Sequence, residues 1–66
     1  MQPTADELKT RIRKLNAQAT QAKMDLHDLS EELPTNWEKI REVAERAYSA
    51  HAELAAARKA LAEAAA

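Results

Sequence analysis

At 66 residues, with ten basic and eleven acidic side chains, the chain is one small unit of nearly balanced charge, close to the lower size limit for an independently stable core. It has no Cys and no Gly, which excludes disulfide staples, thiolate metal centres and glycine-rich phosphate-cradling loops. Ala, Leu, Glu, Lys and Arg dominate, as in long helices or coiled coils, and without other staples such a chain gains a sufficient core by oligomerising.

Met1-Gln2-Pro3 is read as a short tail on a single domain spanning 1–66. It lacks the charged-then-apolar pattern of a signal peptide, and no apolar run approaches membrane-spanning length, so the expected address is cytoplasmic. Thr4-Ala5-Asp6-Glu7 predicts a helix start: the Thr4 hydroxyl accepts from the Glu7 N–H, and the Glu7 carboxylate answers the Thr4 N–H. Leu8, Ile12, Leu15, Ala19, Ala22, Leu26, Leu29 and Leu33 follow at alternating spacings of four and three, a heptad seam. The first helix is therefore expected over about residues 4–33, a rod of roughly 45 Å at ~1.5 Å per residue.

Pro34 lacks an N–H and disfavours helical geometry at Leu33, so the turn is expected at 34–35. Thr35 with Glu38 predicts a second capping box and a second helix over about 36–64. Its seam runs Ile40, Val43, Ala47, Ala50, Leu54, Ala57, Leu61, Ala64. So short a connection forces the two helices antiparallel. The seams then mirror each other about the turn: Leu29 meets Ile40, Leu26 meets Val43, Ala22 meets Ala47, Ala19 meets Ala50, Leu15 meets Leu54, Ile12 meets Ala57, and Leu8 meets Leu61.

Two helices cannot cover both seams, and a second hairpin is the economical cover, which predicts an all-α homodimeric four-helix bundle. Charge sets its expected orientation. Lys9, Arg11, Arg13, Lys14, Arg58 and Lys59 gather at the open end; Asp25, Asp28, Glu31, Glu32, Glu38, Glu42 and Glu45 gather toward the turn. An antiparallel pair sets each acidic turn beside the other copy's basic end, whereas a parallel pair juxtaposes like charges. The central layers, Ala19/Ala50 and Ala22/Ala47, contain only small side chains and read as a waist of close helix approach rather than a ligand cavity.

Few residues suggest chemistry. His27 and Glu31 are four apart on one helical face, and with Asp28, or Glu42 from the facing helix, they form a candidate transition-metal site of the Fe, Ni or Zn type. The paired Glu-x-x-His motifs of di-iron bundles are missing, so a solvated His–Glu pair is the simpler reading. His51 lies in line with Trp37, Ala44 and Arg58 and is expected to be partly buried and hydrogen-bonded, with Tyr48 one turn away. Trp37 is expected to pack on Leu33 and Leu29 and seal the turn, with a binding anchor as its competing role beside Asn36 and Glu38. The basic run from Lys9 to Lys14 spreads around several faces with no aromatic interleaved for base stacking, which disfavours RNA binding. No nucleophile stands in a recognisable triad and no acid–base pair occupies a cleft, so no enzyme activity is expected.

The run MDLHDLSEELPTNWEKI, followed by VAERAYSAHAELAAARKAL, resembles the small Rop-like family whose genes accompany nitrogen-fixation clusters. The resemblance covers about Leu8 to Leu61, with MDLHDL and LPTNWE its most specific parts; His51 stands where relatives are expected to have Tyr. It implies a dimerising helical hairpin and an accessory role around nitrogenase: contact with a nitrogenase or cofactor-assembly component, or metal handling, since some members are labelled metalloproteins. The plasmid RNA-binding protein Rop shares the architecture, but it grips RNA with a basic face and an aromatic; this chain is slightly acidic and has no Phe.

Overall fold

The computed structural model describes residues 4–65, with side chains through residue 64; the tail expected over 1–3 lies outside them. Helix α1 spans Ala5–Glu32, a 3-10 turn spans Trp37–Lys39, and helix α2 spans Ile40–Ala65. The two helices pack as an antiparallel hairpin, a rod of 46 × 17 × 15 Å.

Thr4, in extended geometry, caps α1: its Oγ1 accepts from the Glu7 N–H at 3.2 Å. Asp6 and Glu7 sit in the first turn, where the helix dipole favours negative charge. The expected return bond from the Thr4 N–H to the Glu7 carboxylate is not present among the described residues.

The turn departs from expectation in how it leads into α2. The Leu33 N–H still reaches Leu29 O at 3.2 Å, Pro34 has no N–H to extend the ladder, and the Thr35 N–H is donated to Glu32 O at 3.0 Å. Thr35 therefore closes the end of α1 rather than capping α2, and the second capping box is not formed. Asn36 takes left-handed geometry, φ 61°, which a short polar side chain tolerates, and its Nδ2 donates to Glu32 Oε2 at 3.4 Å. One 3-10 turn, with the Lys39 N–H bonded to Asn36 O at 3.0 Å, then feeds α2, which begins at Ile40 rather than at 36.

The heptad register holds. Leu15, Ala19, Leu54 and Ala57 form the buried cluster, with Ile12 and Ala50 packed against it, as the mirrored seams predict. Leu8, Leu29, Val43 and Ala47 extend the core toward both ends, and among the described residues no polar or charged side chain is buried. Ala19, 1% exposed, marks the waist. Across the helices, only two polar side-chain contacts bridge the described residues: Arg58 Nη2 donates to Asn16 Oδ1 at 3.4 Å, and Arg46 lies 3.9 Å from Asp25.

The hairpin leaves part of its seam uncovered. Leu26, Leu33 and Ile40 are 36%, 39% and 40% exposed, and Ile12, Ala22, Ala50 and Leu61 are half-buried. The heptad pattern thus has more apolar surface than one hairpin can enclose.

Candidate functional site at the hairpin tip

The tip joins the last turns of α1 to the 3-10 turn. Trp37 does not seal it: the ring is 65% exposed instead of lying against Leu33 and Leu29 as expected. The cause is local. A 3-10 turn eclipses positions three apart, so Trp37 stands over Ile40. Trp37, Glu38, Ile40 and Arg41 together line a cleft of roughly 370 Å³ with mostly apolar walls. Ile40 and Arg41 were not legible as site residues, because a continuous helix from 36 would have put Ile40 in the seam alone. Glu38 is exposed, and Asn36 is half-buried at the bend that its own backbone makes.

The acids of this end lie on both sides of the turn: Asp28, Glu31 and Glu32 close α1, and Glu38 and Glu42 open the second arm, all exposed. Lys39 and Arg41 are the cations among them. Asp25 is engaged elsewhere, accepting from Gln21 Nε2 at 2.9 Å and facing Arg46.

His27, Asp28 and Glu31 come together in pairs, not on one point. His27 Nε2 lies 3.3 Å from Glu31 Oε1, while Nδ1, on the other side of the ring, lies 3.8 Å from Asp28 Oδ1. An ion on one nitrogen reaches one of the two carboxylates. Among the described residues no group of three or more His, Asp or Glu side chains is placed to hold a metal ion. His51 is exposed and makes no hydrogen bond or ion pair among the described residues, contrary to the partly buried role expected of it; its neighbour Tyr48 is 74% exposed. The basic run is exposed too, with Arg13 Nη2 donating to Thr10 Oγ1 at 3.3 Å. No described helix is long and apolar enough to cross a membrane.

Fold and site together define a small helical hairpin with an uncovered apolar seam and an acidic, aromatic tip. The chain belongs to the Rop-like family, whose model matches residues 3–66. It is 53% identical over 58 residues to a UPF0437 protein of Azorhizobium caulinodans, covering 88% of this chain and 84% of the relative. It is 56% identical over 45 residues to a Frankia alni protein described as lying in the nifX-nifW intergenic region, where the match covers 68% of this chain and 55% of that longer protein. A structural-genomics target solved by NMR superposes with a TM-score of 0.85 at 56% identity, covering 96% of this chain and 89% of the other.

Proposed function

We propose that this protein is a non-enzymatic, cytoplasmic interaction module serving nitrogen fixation. In this reading it works as an antiparallel homodimeric four-helix bundle whose tip contacts a nitrogenase or cofactor-assembly component. The observation that carries the interaction role is the uncovered seam: Leu26, Leu33 and Ile40 continue the heptads of the buried core yet remain more than a third exposed. A second copy covers such a face with the same packing that builds the hairpin. The opposed charge of the two ends favours the antiparallel orientation, and the alanine waist lets the pairs approach closely at the centre. Support for the nitrogen-fixation setting comes from the Frankia relative between nifX and nifW.

Co-purification from nitrogen-fixing cells tests the role. A nitrogenase or assembly component should be enriched with the wild-type chain and lost with Trp37→Ala; absence of any such component from both would overturn the reading. Sedimentation tests the assembly: a dimer that becomes monomeric with Leu26→Glu supports it, and a wild-type chain that sediments as a monomer refutes it.

The His27–Glu31 pair favours a second reading, a metalloprotein in which Nε2 and the carboxylate supply two donors and solvent or another molecule completes the shell. Elemental analysis of untagged protein beside His27→Ala decides it: equal metal content in the two sinks the idea.

A further inference from the structure

The hairpin has a groove between its helices on each of its two faces, and the two grooves differ in charge. Residues seven apart fall in nearly one row along a helix, so each groove is bordered by one row from α1 and one from α2. Arg46, 3.9 Å from Asp25, marks one groove, and Arg58, bonded to Asn16, marks the other. The first is balanced within the chain: Arg46 faces Asp25, and Arg11 and Glu53 line its far end together. In the second, the α1 row is Lys9, Asn16, Lys23 and Ser30, and the α2 row is Ala44, His51 and Arg58. Neither row contains a carboxylate. The Arg58 guanidinium meets only the neutral Asn16. Among the described residues Lys9, Lys23 and Arg58 form no ion pair, not even Lys9 with Asp6 three residues before it.

The acid-free groove also has the more exposed floor. Ile12 lies between Lys9 and Asn16, and Leu26 between Lys23 and Ser30, at the spacings of three and four that make neighbours on a helix. Ile40 lies one turn before Ala44. Ile12 is half-buried, and Leu26 and Ile40 are 36% and 40% exposed. The floor of the balanced groove contains Leu8, Leu15 and Leu29, each three residues before Arg11, Gln18 or Glu32, and all three are buried.

An apolar floor between unpaired cations fits an amphipathic helix with acidic borders. Lys9 and Lys23 stand about 21 Å apart at ~1.5 Å per residue, two heptads, a repeat at which a partner helix presents carboxylates along one edge. A nucleic acid is the poorer match. Three full cations leave most charges of a duplex, about one per 1.7 Å, without a partner, and the floor gives its backbone nothing polar.

We propose that this groove takes an acidic amphipathic helix of another protein, its apolar edge on Ile12, Leu26 and Ile40 and its carboxylates against Lys9, Lys23 and Arg58. This surface lies along the side of the rod and is separate from the tip contact. The helix and a second hairpin both need Leu26 and Ile40, so occupancy by one excludes the other.

The full chain is titrated into three labelled peptides of equal length, and fluorescence anisotropy is read. One has Leu at heptad spacing bordered by Glu; the second has Lys for each Glu; the third has Ser for each Leu. The first should bind at least about tenfold more tightly than the other two, with affinity falling as salt rises. Leu26→Ala should weaken it by about tenfold, as should Lys23→Glu with Arg58→Glu. Arg11→Glu with Lys14→Glu makes the same change in net charge outside the groove and should alter affinity less than about threefold. All four of these cations are exposed, so both double variants should keep the helix content of the wild type. No binding of the first peptide, equal binding of the second, equal losses from the two double variants, or tighter binding of an RNA hairpin overturns the proposal. Sedimentation separates this result from the bundle reading. A monomeric wild-type chain that binds the first peptide removes the bundle and keeps the acidic partner; a dimer that binds none of the peptides keeps the bundle and removes the acidic partner.

Discussion

Arg58 Nη2 donates to Asn16 Oδ1 at 3.4 Å, the one side-chain hydrogen bond that joins the two helices among the described residues. It lies on the surface, and no buried polar group supports it. The hairpin is therefore held by its apolar layers, and polar cross-links contribute little.

Leu54→Ala should accordingly lower stability by about 2–5 kcal/mol, because Leu54 is 3% exposed within the Leu15, Ala19 and Ala57 cluster. Arg58→Ala should change it by no more than about 0.5 kcal/mol. Urea titration followed by circular dichroism measures both, and equal losses would show that the layers are not the main support.

Ala19→Leu should overpack the waist and cost about 1–3 kcal/mol or reorganise the bundle, since Ala19 is 1% exposed within the Leu15, Leu54 and Ala57 cluster. Ala52→Leu, on the exposed face, serves as control and should be close to neutral. Thermal melts separate the two.

Asn36 sits at φ 61°, so Asn36→Ala should cost on the order of 1 kcal/mol, because Ala keeps the Cβ but loses the polar side chain, here bonded to Glu32 Oε2, that lets Asn take the left-handed region. Asn36→Gly should restore or exceed wild-type stability, because Gly takes that geometry freely. A second helix truly beginning at 36 would reverse this order.

Thr4→Ala removes the acceptor of the Glu7 N–H and should cost about 0.5–2 kcal/mol. Hydrogen exchange should localise the change to the Glu7 amide and the first turn of α1. Uniform loss of protection along both helices would assign Thr4 a wider role.

The seams were legible because heptad spacing reports directly on burial: Leu15, Ala19, Leu54 and Ala57 cluster as their mirrored positions require. The nature of the turn was only half legible. Pro34 marks where α1 must stop, but whether Thr35 caps the next helix or closes the last one depends on a single dihedral at Asn36, which side-chain periodicity does not encode. Trp37 and His51 flank the seam, a placement that predicts a part in the hairpin's own packing. The structure leaves both exposed, for a flanking position is buried only when a further layer lies over it. The Trp37 cleft is illegible in the sequence for a related reason, since it depends on a 3-10 turn that no residue pattern specifies.

Pro34 has one more consequence. The mirrored layers would be satisfied equally well by two straightened chains lying side by side in opposite directions, each a single unbroken helix that pairs its first half with the other's second half. Among the described residues nothing buried distinguishes that exchanged rod from the folded hairpin, because every buried side chain there is apolar. A proline at the joint cannot be carried inside a continuous helix without losing a backbone bond and clashing with the preceding turn, at about 3 kcal/mol in each chain. One ring thus sets the length of the particle.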